Sequence, residues 1–116
     1  MTKTAPDWDD DRAIYRQLMD KIIARIIDQT YPEGELLPSV RQLANDAMVN
    51  PLTAARAYRE LGDLTETRRG VGLIVKTGVR DLLLIRERQK FLQEEWPAIR
   101  ERISALDIDV AKLLKP

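Results

Sequence analysis

Apolar residues fall at Ile14, Tyr15, Leu18, Met19, Ile22, Ile23, Ile26 and Ile27, with Arg, Asp, Lys and Gln between them. Recurrence at helical spacing predicts an amphipathic helix over 11–29 with a wide buried stripe. An aspartate among residues 9–11 suits its N-cap and the positive end of its dipole, and Tyr31-Pro32-Glu33-Gly34 supplies the stop. Leu36-Leu37-Pro38 reads as a short extended piece, because a residue before proline is driven out of the helical region. Ser39-Val40-Arg41-Gln42 has the form of a capping box and opens a short helix over 40–46. Asn50-Pro51 opens the next helix, with Asn50 as cap and Pro51 in the first turn, and it runs through Leu61 until Gly62.

Two helices with so short a link match a helix-turn-helix. Thr65–Arg68 and Leu73–Lys76 are strand-like and flank Arg69-Gly70-Val71-Gly72, a hairpin tip with two glycines. A hairpin in that place makes a wing. The expected fold is therefore mostly α: an α+β winged helix-turn-helix over 12–77, followed by a short, all-helical C-terminal region over 78–116. In that region Pro97 either kinks the helix or opens a new one, and Asp109 caps a last short helix.

The chain has 116 residues, neither cysteine nor histidine, and 44% apolar residues. It is long enough for one small domain with an appendage, and apolar enough to fold. Without Cys or His, disulfides, thiolate nucleophiles, the commonest general base and most zinc ligands are excluded. No enzyme activity, cofactor or metal is expected. The aspartates at positions 7 and 9–11 read as a solvated arm rather than a cation site. The longest aliphatic run, 82–85, falls far short of the roughly 20 residues that span a bilayer. Residues 1–11 lack the apolar core of a secretory signal, so a cytoplasmic protein is expected.

Nineteen basic and 19 acidic side chains cancel, which at first argues against a polyanionic partner. The distribution changes that picture. Residues 1–11 carry one Lys and four Asp, net −3, whereas 38–78 carry six basic and four acidic side chains, net +2. The neutral total in part reflects an acidic arm ahead of a modestly basic winged helix.

Four ordered segments resemble the GntR family of bacterial transcription regulators. Ala13-Ile14-Tyr15-Arg16-Gln17-Leu18 is similar to the family's opening, with Ala13 in place of its usual proline. Residues 32–44 resemble its Pro-Gly-x-x-Leu-Pro-Ser-x-Arg-x-Leu-Ala signature. Val49-Asn50-Pro51-Leu52-Thr53 and Ala57-Tyr58-Arg59-Glu60-Leu61 resemble the recognition helix of the small YtrA-type branch, and Arg69-Gly70-Val71-Gly72 its wing. Met48 stands where the family's turn commonly has glycine, which implies a different backbone geometry there. The resemblance implies a homodimeric repressor on a short palindromic operator in double-stranded DNA. A small-molecule effector is left open.

Candidate DNA-binding residues are Ser39, Arg41, Asn50, Leu52, Thr53, Arg56, Arg68, Arg69 and Gly70. Arg41 stands beside the Ser39 cap, whose amides suit a phosphate, and its bland alternative is a solvated pair with Asp46. Asn50 serves equally as a plain cap. Thr53 suits a phosphate or a thymine methyl, and Arg56 a guanine or a phosphate. Pro51 and Ala55 stand where relatives place arginines, which shifts weight towards DNA shape. Arg68, Arg69 and Gly70 suit a minor groove or its flanking phosphates. Tyr15 and Tyr58 read as amphipathic core residues with exposed hydroxyls. Leu82, Ile85, Phe91, Leu92, Trp96, Ile99 and Ile103 are the candidate dimerisation residues, since a short helical tail cannot bury that surface alone. The alternative from another class is a protein-interaction module, an antitoxin or adaptor, that reuses the winged helix.

Overall fold

The computed structural model describes residues 13–116; the acidic arm and its candidate cap lie outside the described residues. The first helix, α1 (Ile14–Ile27), begins later than the pattern predicted, with Ala13 in the cap position and no side-chain cap. Its buried stripe is also narrower. Gln17, Leu18, Ile22 and Ile26 form one buried seam, while Tyr15, Met19, Ile23 and Ile27 are half-buried and Ile14 is exposed. Burial of each Leu or Ile is worth about 1.5–3 kcal/mol, so this seam anchors the unit.

Helices α2 (Val40–Ala47) and α3 (Pro51–Leu61) follow, and α1 and α2 both pack on α3. Ala54 and Ala57 of α3 are 0% exposed. These short side chains let the backbones approach closely, while Leu43 and Leu61 fill the space around them. A single 3₁₀ turn, Gly62–Leu64, leads to the hairpin β1 (Thr65–Arg68) and β2 (Gly72–Val75). The strands are antiparallel, pairing Thr65 with Val75 and Arg68 with Gly72, so β2 starts one residue earlier than the pattern indicated. The extended piece before α2 joins them: the Leu37 amide donates to the Leu73 carbonyl at 2.8 Å, and Leu36 bridges Ile74.

Two compact units divide the chain between Asp81 and Leu82, within α4 (Val79–Lys90). The start of α4 belongs to the first unit and is tied down twice. Glu33 accepts a hydrogen bond from the Arg80 amide at 2.8 Å, and Arg80 Nε donates to the Ile27 carbonyl at the end of α1 at 2.6 Å. The second unit is helical throughout. Of the two places expected for Pro97, the structure has the second, the first turn of a new helix. A wide π turn, Phe91–Glu95, precedes it and leads directly into α5 (Trp96–Ala105), with Pro97 in the first turn. A π turn absorbs the missing proline amide by changing the hydrogen-bond spacing locally. Asp109 caps α6 (Val110–Leu113), accepting from the Ala111 amide at 3.1 Å. Among the described residues, no helix is long and apolar enough to cross a membrane.

Candidate nucleic-acid interface

Local capping chemistry sets the helix-turn-helix. The Ser39 hydroxyl accepts from the Gln42 amide at 3.1 Å and the Gln42 side chain accepts from the Ser39 amide at 2.9 Å, so the predicted box is present. The Ser39 side chain is thus committed to its own helix. Arg41, one residue into α2, is exposed, and among the described residues its side chain has no ion pair or hydrogen bond; the pairing with Asp46 is absent. At the other end of α2, Met48 takes the left-handed conformation (φ 56°) and the Val49 amide reaches back to the Ala44 carbonyl at 3.0 Å. The Met in place of glycine therefore leaves the turn in a conformation that glycine adopts without steric cost.

Asn50 Oδ1 accepts from the Leu52 amide at 2.8 Å, and Pro51 follows in the first turn. Helix α3 then divides into two faces. Ala54, Ala57, Tyr58 and Leu61 point into the core, whereas Leu52 is 79% exposed, Arg56 is exposed and Thr53 is half-buried. Tyr58 departs from expectation. It is buried, and its hydroxyl donates to the Pro38 carbonyl at 2.6 Å, tying α3 to the segment that leads into α2. Burial pushes the phenol pKa well above its ordinary value, with the neighbouring Tyr31 adding to the effect, so the hydroxyl keeps its proton for this bond.

Arg56 has an aromatic neighbour from outside the motif. Its guanidinium carbon lies 3.8 Å from the centroid of the Tyr15 ring, on the first turn of α1. Arg16 Nε donates to the Tyr15 hydroxyl at 3.0 Å, a bond that raises the Arg16 pKa above its ordinary value. Ile14, Tyr15, Leu52, Thr53 and Arg56 line one shallow groove. The sequence pattern assigned Tyr15 to the core; its place at the edge of the stripe, followed by Arg16, was the one available sign of a surface role.

The wing forms a third group. Gly70 (φ 75°) turns the tip, where the Val71 amide donates to the Arg68 carbonyl at 3.0 Å. Gly72 (φ 137°) lies against Leu36, and a Cβ there would come within 2.9 Å of Leu36 Cδ1. Arg68 makes a loose, half-exposed pair with Glu66 at 3.8 Å, and Arg69 is exposed. Ser39 with Arg41, Asn50 to Arg56, and Arg68 to Gly70 thus sit at the start of α2, the front of α3 and the wing tip. The seven candidate dimerisation residues lie in the second unit. Leu82, Ile85, Phe91, Leu92 and Ile99 are exposed there, while Trp96 and Ile103 are half-buried.

Known proteins match this arrangement along most of the chain. The family model for bacterial regulatory proteins of the gntR family matches residues 14–75. The HTH-type transcriptional repressor YtrA of Bacillus subtilis is 30% identical over 98 residues, covering 83% of this chain and 69% of its own length. An uncharacterized HTH-type regulator of the same organism, YhcF, is 41% identical over 66 residues, covering 55% of this chain and 54% of its own length, so the matched stretch spans about half of that relative. A GntR family transcriptional regulator from Listeria monocytogenes has a similar structure, with a TM-score of 0.70 at 31% identity over 92% of this chain and 94% of its own. With a winged helix in place and homologues that include a YtrA-type regulator, the chain belongs to the GntR family of DNA-binding transcriptional regulators.

Proposed function

We propose that two copies of this chain bind a short palindromic operator in the cytoplasm and repress transcription from it. The observation that carries the reading is the outward face of α3, where Leu52 and Arg56 stand clear of a core closed by Ala54, Ala57 and Leu61, with Thr53 half-buried beside them. A second helix of this kind enters a major groove with its N-terminal residues at the base edges. Arg41 serves as a backbone or base anchor beside the amides of α2, and Arg68, Arg69 and Gly70 carry the wing to a minor groove or its phosphates. Asn50 has its side-chain oxygen engaged in capping, so its amide N–H groups are what it offers DNA. The apolar tail residues from Leu82 to Ile103 supply the dimer contact, and two-fold symmetry of the dimer demands a two-fold site.

No effector is assigned. A cavity of about 150 Å³ between α1 and α2, lined by Leu18, Ile22, Arg25, Tyr31 and Leu43 among others, is small for a ligand, and the larger hollows, such as that of about 530 Å³ beside Leu36, Leu37 and Pro38, are shallow and open to solvent.

Selection of bound sequences from a random DNA pool tests the reading. A palindrome with half-sites about one helical turn apart is the expected result. On that operator Arg41→Ala weakens binding by about 1–3 kcal/mol at fixed salt. Enrichment of no sequence, or binding indifferent to salt, would point to the protein-interaction alternative instead.

A further inference from the structure

We infer that Tyr15, outside the helix-turn-helix, is a positioning residue for operator binding that acts through Arg56. The inference rests on the operator reading above. Arg56 projects from the exposed face of α3, where a long side chain samples many rotamers and loses that freedom on contact with DNA. Here its guanidinium lies over the Tyr15 ring, 3.8 Å from the centroid. Tyr15 is itself held. It is half-buried at the edge of the α1 seam, and its hydroxyl accepts from Arg16 Nε at 3.0 Å.

The kind of partner matters. A carboxylate on Arg56 would cancel its charge and occupy the in-plane N–H donors that a phosphate or a guanine edge needs. Among the described residues no ion pair involves Arg56. An aromatic face instead holds the cation through one face of its plane and leaves the N–H donors at the rim available. Tyr15 therefore orders Arg56 without using the groups that would meet DNA. Leu52 and Thr53 line the same groove, so the ordered guanidinium lies beside the other outward residues of the helix front. On this view a residue of α1 sets operator affinity without reading a base.

The alternative is that Tyr15 only packs α1 against α3, and a double-mutant cycle on the selected operator separates the two. Affinity is measured at fixed salt for the wild type, Tyr15→Leu, Arg56→Ala and the double variant, with Tyr15→Phe as the conservative control. Tyr15→Leu is expected to weaken binding about three- to tenfold, and Tyr15→Phe, which keeps the ring face, less than about twofold. On the Arg56→Ala background Tyr15→Leu should add nothing. An equal loss on both backgrounds, or no loss on the wild type, would overturn the inference while leaving operator binding intact. A readout in the DNA-free protein guards against a folding defect: the Arg56 δ protons should be shifted upfield by the ring current in the wild type and in Tyr15→Phe. An unshifted wild type would also overturn the inference. Failure of the wild type to bind any pool sequence would overturn the operator reading and this one with it.

Discussion

In the winged-helix unit Leu18, Ile22, Ile26, Leu61 and Val75 are all but inaccessible, whereas in the helical tail Leu92 is 58% exposed and Leu114 80%. Both regions draw on the same residue types at helical spacing. In the first unit the seams of α1 and α3 close on each other, and Ile74 and Val75 of the hairpin are buried as well; within 82–116 only Leu83 is buried. The contrast teaches that periodicity reports which face is apolar and says nothing of whether the cover for it lies in the same chain. One region is complete as a folding unit. The other leaves much of its apolar face exposed, which is the ground for the dimer contact proposed above.

The sharpest way to break that comparison is a matched pair of truncations. Ile22→Ala removes a side chain 1% exposed and should cost about 2–5 kcal/mol of unfolding free energy, at every protein concentration. Ile99→Ala should cost the dilute chain little and act on association instead, weakening a dimer by about 1–2 kcal/mol. Chemical denaturation over a hundredfold range of concentration, with sedimentation alongside, distinguishes them. An Ile99→Ala loss that persists unchanged at dilutions where the chain is monomeric would erase the distinction between the two regions.

Much of the first unit was legible because its signals are local. The Ser39–Gln42 box, the Asn50 cap with Pro51, and the Asp109 cap each span a few residues and recur in the structure as hydrogen bonds. The hairpin was legible from its two glycines to within one residue. What was not legible pairs distant positions. Tyr15 meets Arg56, Tyr58 meets Pro38, and Glu33 and Arg80 cross-link the ends of α1 and α4. No spacing rule encodes such pairs, since each depends on helices already packed. The π turn before Pro97 escaped for a related reason: proline forbids the ordinary bond, and the surrounding helix decides how the bond is rerouted.

The Arg80 cross-link offers the next largest effect and tests whether the first unit is as self-contained as its core suggests. Arg80→Ala removes a charged donor from the terminal carbonyl of α1 and should destabilise the winged-helix unit by about 1–2 kcal/mol. Arg80→Lys should restore only part of that, because an ammonium cannot reproduce the Nε geometry. Operator affinity measured well below the unfolding transition should be unchanged in both. Smaller still, and opposite in sign, is the effect at the turn. Met48 at φ 56° carries a left-handed penalty of about 1–2 kcal/mol. Met48→Gly relieves it against an unfolded-state cost of about 0.5–1 kcal/mol, for a net gain near 0.5 kcal/mol measurable by denaturation.

The subtlest test uses pH. Glu33 accepts hydrogen bonds from the Arg80 and Gly78 amides, which hold its pKa below the ordinary 4.5. Asp28 accepts from the Thr30 side chain and amide and lies below its ordinary 3.8. For both, the unfolded chain takes up its proton at higher pH than the folded one, so folding is favoured by ionisation. Their contribution is complete above the ordinary values and is lost as pH falls through the depressed native ones. Stability of the winged-helix unit should therefore decline as pH drops below 4.5, and Glu33→Gln, which cannot titrate, should flatten the upper part of that decline. Association through the tail should not follow the Glu33 substitution, because Glu33 belongs to the first unit. A dimer constant that shifted with Glu33→Gln at acid pH would show the two regions to be energetically linked rather than separately built.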